Sequence, residues 1–140
     1  MGALPKSWFL LAVFACAVAV VLLCVFDPAT SGIFPPCPVH YLTGWYCPGC
    51  GSLRAIHALL HGDVRLAWSM NPLTIVLLPF LSYGLISEAM FALRGQRLPQ
   101  MMLPAQSIHA LWVVIVLFGV VRNLPLHPFN LLAPGAMVHL

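Results

Sequence analysis

An uninterrupted apolar run near the start of the chain constrains the fold more than any other feature of the sequence. It covers Trp8 to Phe26, 19 residues without a charge or a proline, and it is flanked by Lys6 and Asp27. As an α-helix, at about 1.5 Å per residue, the run is about 28 Å long, which matches the hydrocarbon thickness of a bilayer. It is longer than the apolar part of a usual signal peptide, and no small-residue cleavage site follows it. The run therefore predicts a retained membrane-spanning helix over about residues 8–26.

Two further segments have the length and the end signals of membrane helices. The second segment has Asn71 as an N-cap, Pro72 at the first helical position and Gly95 as a terminator, so we predict a helix over about residues 72–94. The third segment is shorter and is predicted over about residues 105–122. The sequence therefore predicts three crossings of a membrane.

The overall composition supports a membrane environment. Hydrophobic residues make up 61% of the 140 residues and charged residues only 6%, whereas a soluble domain is about half apolar and a quarter charged. A water-soluble chain of this length would expose large apolar patches. The formal charge of +3 is spread over turns and helix ends, so we expect no nucleic-acid partner. We predict an all-α fold, a single integral membrane domain over residues 1–140, with the lipid bilayer as its solvent.

The stretch between the first two predicted membrane helices has two parts. Residues 27–50 are rich in Pro and Gly, which predicts a loop. Residues 52–70 have the pattern of two short amphipathic helices, with Ser52 capping the first and Asp63 capping the second. The cysteine-rich loop and the short helices together form a predicted cap over residues 37–71.

Positive charges beside the helix ends indicate the orientation. Arg94 and Arg97 lie in a short loop directly at helix ends, where the positive-inside bias is strongest. They favour a cytoplasmic N-terminus and an extracytoplasmic cysteine-rich loop. The opposite orientation places Arg54, Arg65 and Arg122 inside, so the count of charges does not separate the two arrangements.

The most concentrated chemistry of the sequence lies in the loop. Cys47 and Cys50 form a Cys-x-x-Cys turn around Pro and Gly, which points both thiolates to one side as in a zinc knuckle. Ten residues upstream, Cys37 and His40 form a Cys-x-x-His pair with the same placement of Pro. The four residues together are candidates for a tetrahedral zinc site with three cysteines and one histidine.

Two other interpretations of the same cysteines stay open. One is a structural disulfide from Cys37 to Cys47 or Cys50, and the other is a reversible redox pair of Cys47 and Cys50. Because the loop is predicted to face an oxidising compartment, the sequence favours the disulfide over zinc and over redox activity. Cys16 and Cys24 lie in the first apolar run and are expected to pack as small hydrophobic residues.

Two groups of polar residues lie outside the loop. Arg54, His57 and His61 share one face of the first cap helix and form either a solvated face or a site for a metal or a lipid phosphate. Glu88 and His109 lie near the facing ends of the second and third membrane helices, and we predict that they pair inside the membrane. No catalytic set of residues is recognisable, and three acids are too few for most hydrolytic mechanisms.

The order and spacing of residues in the cap resemble a family of bacterial membrane proteins catalogued as domain of unknown function 2752. The resemblance covers Cys37 to Leu73 and the following helix, and its centre is the motif CPGCG-x-x-RA from Cys47 to Ala55. It implies this architecture, a bacterial origin and hence a multi-pass protein of the inner (cytoplasmic) membrane, but no activity. Leu53 stands where the family usually has Thr, which removes one hydroxyl from any site. The matching residues are Cys37, Pro38, Leu42, Thr43, Gly44, Cys47, Pro48, Gly49, Cys50, Gly51, Arg54, Ala55, Gly62, Asp63, Asn71, Pro72 and Leu73.

The absence of catalytic acids and bases favours an accessory role over an enzyme. We therefore predict a structural or accessory subunit that docks a membrane protein partner through its cysteine-rich cap. The alternatives are a zinc-binding membrane protein and a membrane thiol oxidoreductase that uses Cys47 and Cys50.

Overall fold

The computed structural model describes residues 6–96, 98–99, 104–126 and 129–134, and Arg97, which entered the orientation argument, lies outside them. Within these ranges the chain is helical and contains no β-strand, which confirms the all-α class. The described helices, in chain order, are α1 (Lys6–Val25), α2 (Pro38–Thr43), α3 (Ser52–Leu60), α4 (Val64–Met70), α5 (Pro72–Arg94), α6 (Ala105–Val121) and a single 3-10 turn at Phe129–Leu132.

Helix α5 is the one described helix that is long and apolar enough to cross a membrane, with 23 residues from Pro72 to Arg94. Shorter apolar helical segments are Leu11–Val25 in α1 and Gln106–Val121 in α6. Large apolar side chains such as Phe80 and Trp112 are exposed on these helices. Length and composition therefore support one crossing in the described part of the chain, and the arrangement with three crossings stays a proposal.

Local sequence signals set the ends of α4 and α5 as predicted. The Asn71 side chain accepts a hydrogen bond from the backbone N–H of Thr74 at 3.2 Å, and Gly95 ends α5 in the left-handed conformation with φ 69°. Asp63 begins α4 by accepting a hydrogen bond from the N–H of Leu66 at 2.8 Å. These three helix ends are confirmed.

Two local predictions in the cap are wrong. The stretch after the first loop cysteine forms helix α2 instead of a loop, because Pro38 suits the first helical turn and Gly44, with φ 73°, ends the helix. Ser52 is not the N-cap of α3, since Gly51 occupies that position. The Ser52 hydroxyl instead hydrogen-bonds the hydroxyl of Thr74 at 2.7 Å. This contact ties the beginning of α3 to the beginning of α5.

Helices α3 and α4 form the helical part of the cap. They pack against each other, and the small side chains of Ala55, Ala58 and Ala67 are buried. Helix α3 also contacts α1 and α5. Nδ1 of His57 lies 2.5 Å from the carbonyl oxygen of Leu23, near the end of α1. The cap is therefore seated on two of the long helices.

The cysteine loop contacts the third long helix at Gly119. A Cβ atom at this position would lie 2.9 Å from Cγ of Pro48 and 3.1 Å from its Cδ, so only glycine admits the proline ring so close to the helix. One turn later, Asn123 holds the loop by both atoms of its amide. Its Oδ1 accepts the Tyr46 N–H at 2.8 Å, and its Nδ2 donates to the Tyr46 carbonyl at 2.9 Å. The end of α6 thereby fixes the loop that carries the cysteines.

Candidate functional site

Three cysteine sulfurs converge in the cap. Sγ of Cys47 lies 3.4 Å from Sγ of Cys37 and 3.2 Å from Sγ of Cys50, and all three sulfurs lie within 4.8 Å of one another. In a tetrahedral zinc site with Zn–S bonds of about 2.3 Å, neighbouring sulfurs are about 3.8 Å apart. Changes of up to about 1 Å in these separations would therefore place the three sulfurs, which we call the thiol cluster, at the spacing of metal ligands.

The cluster consists of free thiols, and the predicted disulfide from Cys37 to Cys47 or Cys50 is not formed in this structure. A disulfide has an S–S length of about 2.05 Å. The separations of 3.2 and 3.4 Å are far longer, and each is a contact between non-bonded sulfur atoms. Both contacts involve Cys47, whose sulfur touches those of Cys37 and Cys50 without a bond to either. Cys16 and Cys24 lie apart on α1 and are exposed.

The thiol cluster depends on a close approach of two backbones. Gly51, directly after the last cluster cysteine, has φ 83° and begins α3. A Cβ atom on Gly51 would lie 2.6 Å from the carbonyl oxygen of Met70, the last residue of α4. The turn itself is closed by a hydrogen bond of 3.0 Å from the Cys50 N–H to the Cys47 carbonyl. Only glycine lets this turn lie against the end of α4.

The protein environment makes the cluster cysteines unequal. The backbone N–H of His40, at the beginning of α2, stabilises the Cys37 thiolate and lowers the pKa of Cys37 to about 7, although burial opposes the shift. Burial chiefly, and then the neighbouring sulfurs, raise the pKa of Cys50 to about 12. Cys37 therefore ionises near neutral pH, whereas Cys50 holds its proton. A cation that binds all three sulfurs has to displace protons.

A buried arginine lies behind the turn of the thiol cluster. Arg122, at the end of α6, is only 1% exposed, and its Nη1 donates to the carbonyls of Cys47 at 3.0 Å and Cys50 at 3.2 Å. Its guanidinium carbon lies 4.9 Å from the ring centroid of Phe118 and 5.7 Å from that of Tyr46. The contacts join the end of α6 to a turn more than seventy residues earlier in the chain. A positive charge is therefore held against the turn that carries Cys47 and Cys50.

The remaining nitrogens of Arg122 show that this charge is not neutralised by a carboxylate. Nε and Nη2 are buried and have no hydrogen-bond acceptor among the residues that the structure describes. An isolated charge in a buried position is costly. A thiol cluster that becomes negative when its cysteines ionise supplies the missing opposite charge. In the sequence, Arg122 bore only on the orientation, although a lone arginine that ends an apolar helix is a signal of function.

Asn71 is the second residue whose role in the site was not predicted from the sequence. It was predicted as a helix cap, and it does cap α5, but its side chain is also fully buried beneath the turn. Its Nδ2 donates to the carbonyls of Pro48 at 2.9 Å and Cys50 at 3.2 Å. Asn71 thus positions the turn on α5, as Arg122 positions it on α6.

The predicted fourth ligand, His40, is not part of the cluster. The described His, Cys, Asp and Glu side chains that converge at this point are the three cysteines alone. The His40 ring is stacked on Tyr46, with centroids 4.5 Å apart and an angle of 14° between the planes. The formation of helix α2, which was predicted as a loop, places this ring against Tyr46. The site therefore offers three protein ligands in place of four.

The other polar groups predicted from the sequence do not join the thiol cluster as ligands. His57 and His61 lie together, with ring centroids 4.3 Å apart. Arg54, on the same helix, lines a cavity beside the cysteines, whereas the two histidines do not. Glu88 lies in α5 and His109 in α6, and their pairing stays a prediction.

Fold and site together define an all-helical protein that has one helix able to span a membrane by length and composition, and a cap with three convergent thiols. Residues 37–85 match the family described as "Protein of unknown function (DUF2752)", which confirms the family resemblance. The match begins at the first cysteine of the cluster and extends into α5, so it covers the whole cap. No curated protein and no solved structure matches the chain. The function therefore has to be argued from the chemistry of the site.

Proposed function

We propose that this chain is a membrane protein whose cap binds one divalent metal ion, with zinc as the best fit, through the thiolates of Cys37, Cys47 and Cys50. The observation that carries the proposal is the convergence of the three sulfurs to within 4.8 Å of one another. Thiolates select zinc and copper(I) over magnesium and calcium, which prefer oxygen ligands. The bound ion joins the segment before α2 to the turn before α3 and so stabilises the cap.

The charge of the site favours a divalent ion. Three thiolates around a divalent ion carry a net charge of −1, and the buried guanidinium of Arg122 brings the sum to zero. With copper(I) the same sum is −1, which leaves an unbalanced charge in a buried position. Zinc is therefore a better match than copper(I) for this combination of three cysteines and one arginine.

The membrane part of the proposal is that α1, α5 and α6 all cross the bilayer. Their lengths are 20, 23 and 17 residues, within the range of about 17–25 that a spanning helix needs. Their exposed apolar side chains suit contact with lipid. Reduced thiols that hold a metal favour a cap on the cytosolic side, opposite to the orientation indicated by Arg94. The inner membrane of a bacterium follows from the family resemblance and belongs to the proposal.

The metal content of the purified protein tests the proposal. We expect protein extracted from membranes under reducing conditions to contain about one zinc per chain, because the chain has one thiol cluster. Cys37→Ser, Cys47→Ser and Cys50→Ser should each lose the ion. Cys16→Ser and Cys24→Ser are matched controls, since these cysteines lie apart on α1, and they should keep the zinc. Elemental analysis of each variant gives the result.

Alkylation and mass spectrometry of the same samples detect the results that would contradict the metal site. Three freely alkylated cluster thiols, without metal even after incubation with zinc, would contradict the proposal. A disulfide between two of the cluster cysteines in protein prepared without oxidant, again without metal, would contradict it in favour of a cross-link or a redox pair. Substitution by cobalt(II) adds a spectroscopic check, because cobalt thiolates absorb in the near ultraviolet.

A second candidate function is that of an accessory subunit, and it is favoured by the surface of α2. Tyr41 and Leu42 are each 79% exposed, and Trp45 beside them is 60% exposed. Such a cluster of large apolar and aromatic side chains is typical of a docking surface for another membrane protein. The same side chains would also suit the membrane interface.

Photo-crosslinking in intact membranes distinguishes a docking surface for a protein from a surface that contacts lipid. A photoreactive residue at Leu42 should give one discrete protein adduct if the cap docks a partner. Val64, which is also exposed but lies at the start of α4, is the control position and should not give this adduct. Lipid adducts alone at Leu42 would contradict the accessory role.

A further inference from the structure

A cavity of about 570 Å³ lies beside the thiol cluster. Two of the cluster cysteines, Cys37 and Cys50, line it, while Cys47 does not. Arg54 is the only Lys, Arg, Asp or Glu side chain among the described residues of its lining. The volume lies within the range of about 300–1,000 Å³ that is usual for sites of small molecules.

We propose that this cavity binds a small organic anion, a carboxylate or a thiolate, whose donor atom completes the coordination of the metal ion and whose charge is balanced by Arg54. The inference rests on the proposed metal site. It assigns to the cap a ligand-binding role beyond the stabilisation that the metal alone would provide.

The number of protein ligands leaves one coordination position of the metal open. Zinc in proteins is almost always four-coordinate, and sites with three protein ligands keep the fourth position for water or another exogenous group. The chain offers three sulfurs at this point, and His40, which lines the cavity with its ring stacked on Tyr46, is not among the convergent ligands. The fourth position is therefore left for a molecule from outside.

The surroundings of the thiol cluster are asymmetric. On one side the turn is covered by Arg122 and Asn71, whose side chains are hydrogen-bonded to its carbonyls. Arg122 and Asn71 do not line the cavity, whereas Cys37 and Cys50 do. The open side of the cluster is thus the side that faces the cavity.

The charge of the site also favours an anion. The metal, three thiolates and Arg122 sum to zero, so an incoming monoanion leaves the site at −1, and Arg54 restores neutrality. The Arg54 side chain is exposed and has no ion-pair or hydrogen-bond partner in the described part of the chain. Asp27, an acid near the cavity wall, accepts the N–H of Ala29 at 2.8 Å and shapes the local turn. A planar guanidinium is suited to bind a carboxylate.

Cobalt(II)-loaded protein in detergent micelles tests the inference through its visible spectrum. We expect mercaptoacetate and acetate to shift the d–d bands with saturable dependence on concentration. Arg54→Gln should bind cobalt like the native protein but weaken mercaptoacetate binding about tenfold, which corresponds to about 1.4 kcal/mol. Arg65→Gln is the matched control, because Arg65 is an exposed arginine of α4 that does not line the cavity.

2-Mercaptoethanol, which coordinates as a thiolate but carries no carboxylate, isolates the contribution of the carboxylate. Native protein should prefer mercaptoacetate over it, and Arg54→Gln should lose this preference. Failure to bind cobalt would overturn the metal site and with it this inference. Cobalt bound normally, with a spectrum that no anion changes or an anion affinity that Arg54→Gln leaves intact, would overturn the ligand site alone.

Discussion

Replacement of Gly51 by alanine is expected to destabilise the cap severely, whereas the same replacement at Gly62 should have a much smaller effect. Both glycines have positive φ angles, 83° and 81°, so an L side chain adds a similar backbone strain of about 1–2 kcal/mol at each. The surroundings differ. A Cβ at Gly51 would lie 2.6 Å from the carbonyl oxygen of Met70, while a Cβ at Gly62 would meet nothing within 4 Å.

The clash at Gly51 involves backbone, so a side-chain rotation cannot relieve it. The turn that carries Cys50 has to move away from the end of α4, and the hydrogen bonds of Asn71 to that turn weaken with it. We expect a loss of more than about 4 kcal/mol, in the range that marks a specific structural defect. Zinc content should fall together with the thermal unfolding midpoint in detergent.

The comparison of Gly51→Ala with Gly62→Ala separates the effect of the clash with Met70 on stability from the effect of a positive φ angle. The midpoint of Gly62→Ala should decrease by no more than the strain accounts for, and its zinc content should match the native value. Equal losses of stability in the two variants would mean that the contact with Met70 is not important.

Signals confined to a few neighbouring residues allowed much of the fold to be predicted from the sequence. Asn71 and Gly95 mark the ends of α5 by capping and by left-handed backbone, and both properties depend on local chemistry. Asp63 marks the start of α4 in the same way. The three loop cysteines were also recognised, because their spacing along the chain is itself a local feature.

The parts that escaped prediction depend on approaches between distant segments. Arg122 and Cys47 are 75 positions apart, and nothing in either local sequence indicates their hydrogen bond. The spacing of Cys37 and His40 suggested a second ligand pair, but helix α2 formed there and Tyr46 provided a stacking partner for the ring. The predicted disulfide used an assumption about the redox compartment and had no geometric support. Contacts between distant segments determine which side chains become ligands and which pair with each other.

Arg122 has two separable roles, and zinc affinity distinguishes them. As a hydrogen-bond donor it gives the carbonyls of Cys47 and Cys50 a second donor, beside the Cys50 N–H and the Asn71 amide that they already accept. As a charge it balances the anionic complex of the metal with three thiolates. Glutamine at this position keeps a donor but removes the charge, and lysine keeps the charge but lacks the planar fork.

We expect Arg122→Gln to lower zinc affinity by about 10–100-fold, the usual effect of losing an outer-shell partner of a metal site. Arg122→Lys should keep more of the affinity than Arg122→Gln, although the buried carbonyls are then less well satisfied. Arg65→Gln, which removes a charge at an exposed position, should match the native protein.

Competition with a chelating zinc dye measures the affinities, and thermal unfolding with and without zinc measures the stability that the ion adds. A purely structural Arg122 would lower both unfolding midpoints equally in Arg122→Gln, and the gain in stability on adding zinc would be unchanged. A balancing charge instead acts on the zinc-bound state, so the stabilisation by zinc should shrink by about 1.4–2.7 kcal/mol, the equivalent of that loss of affinity.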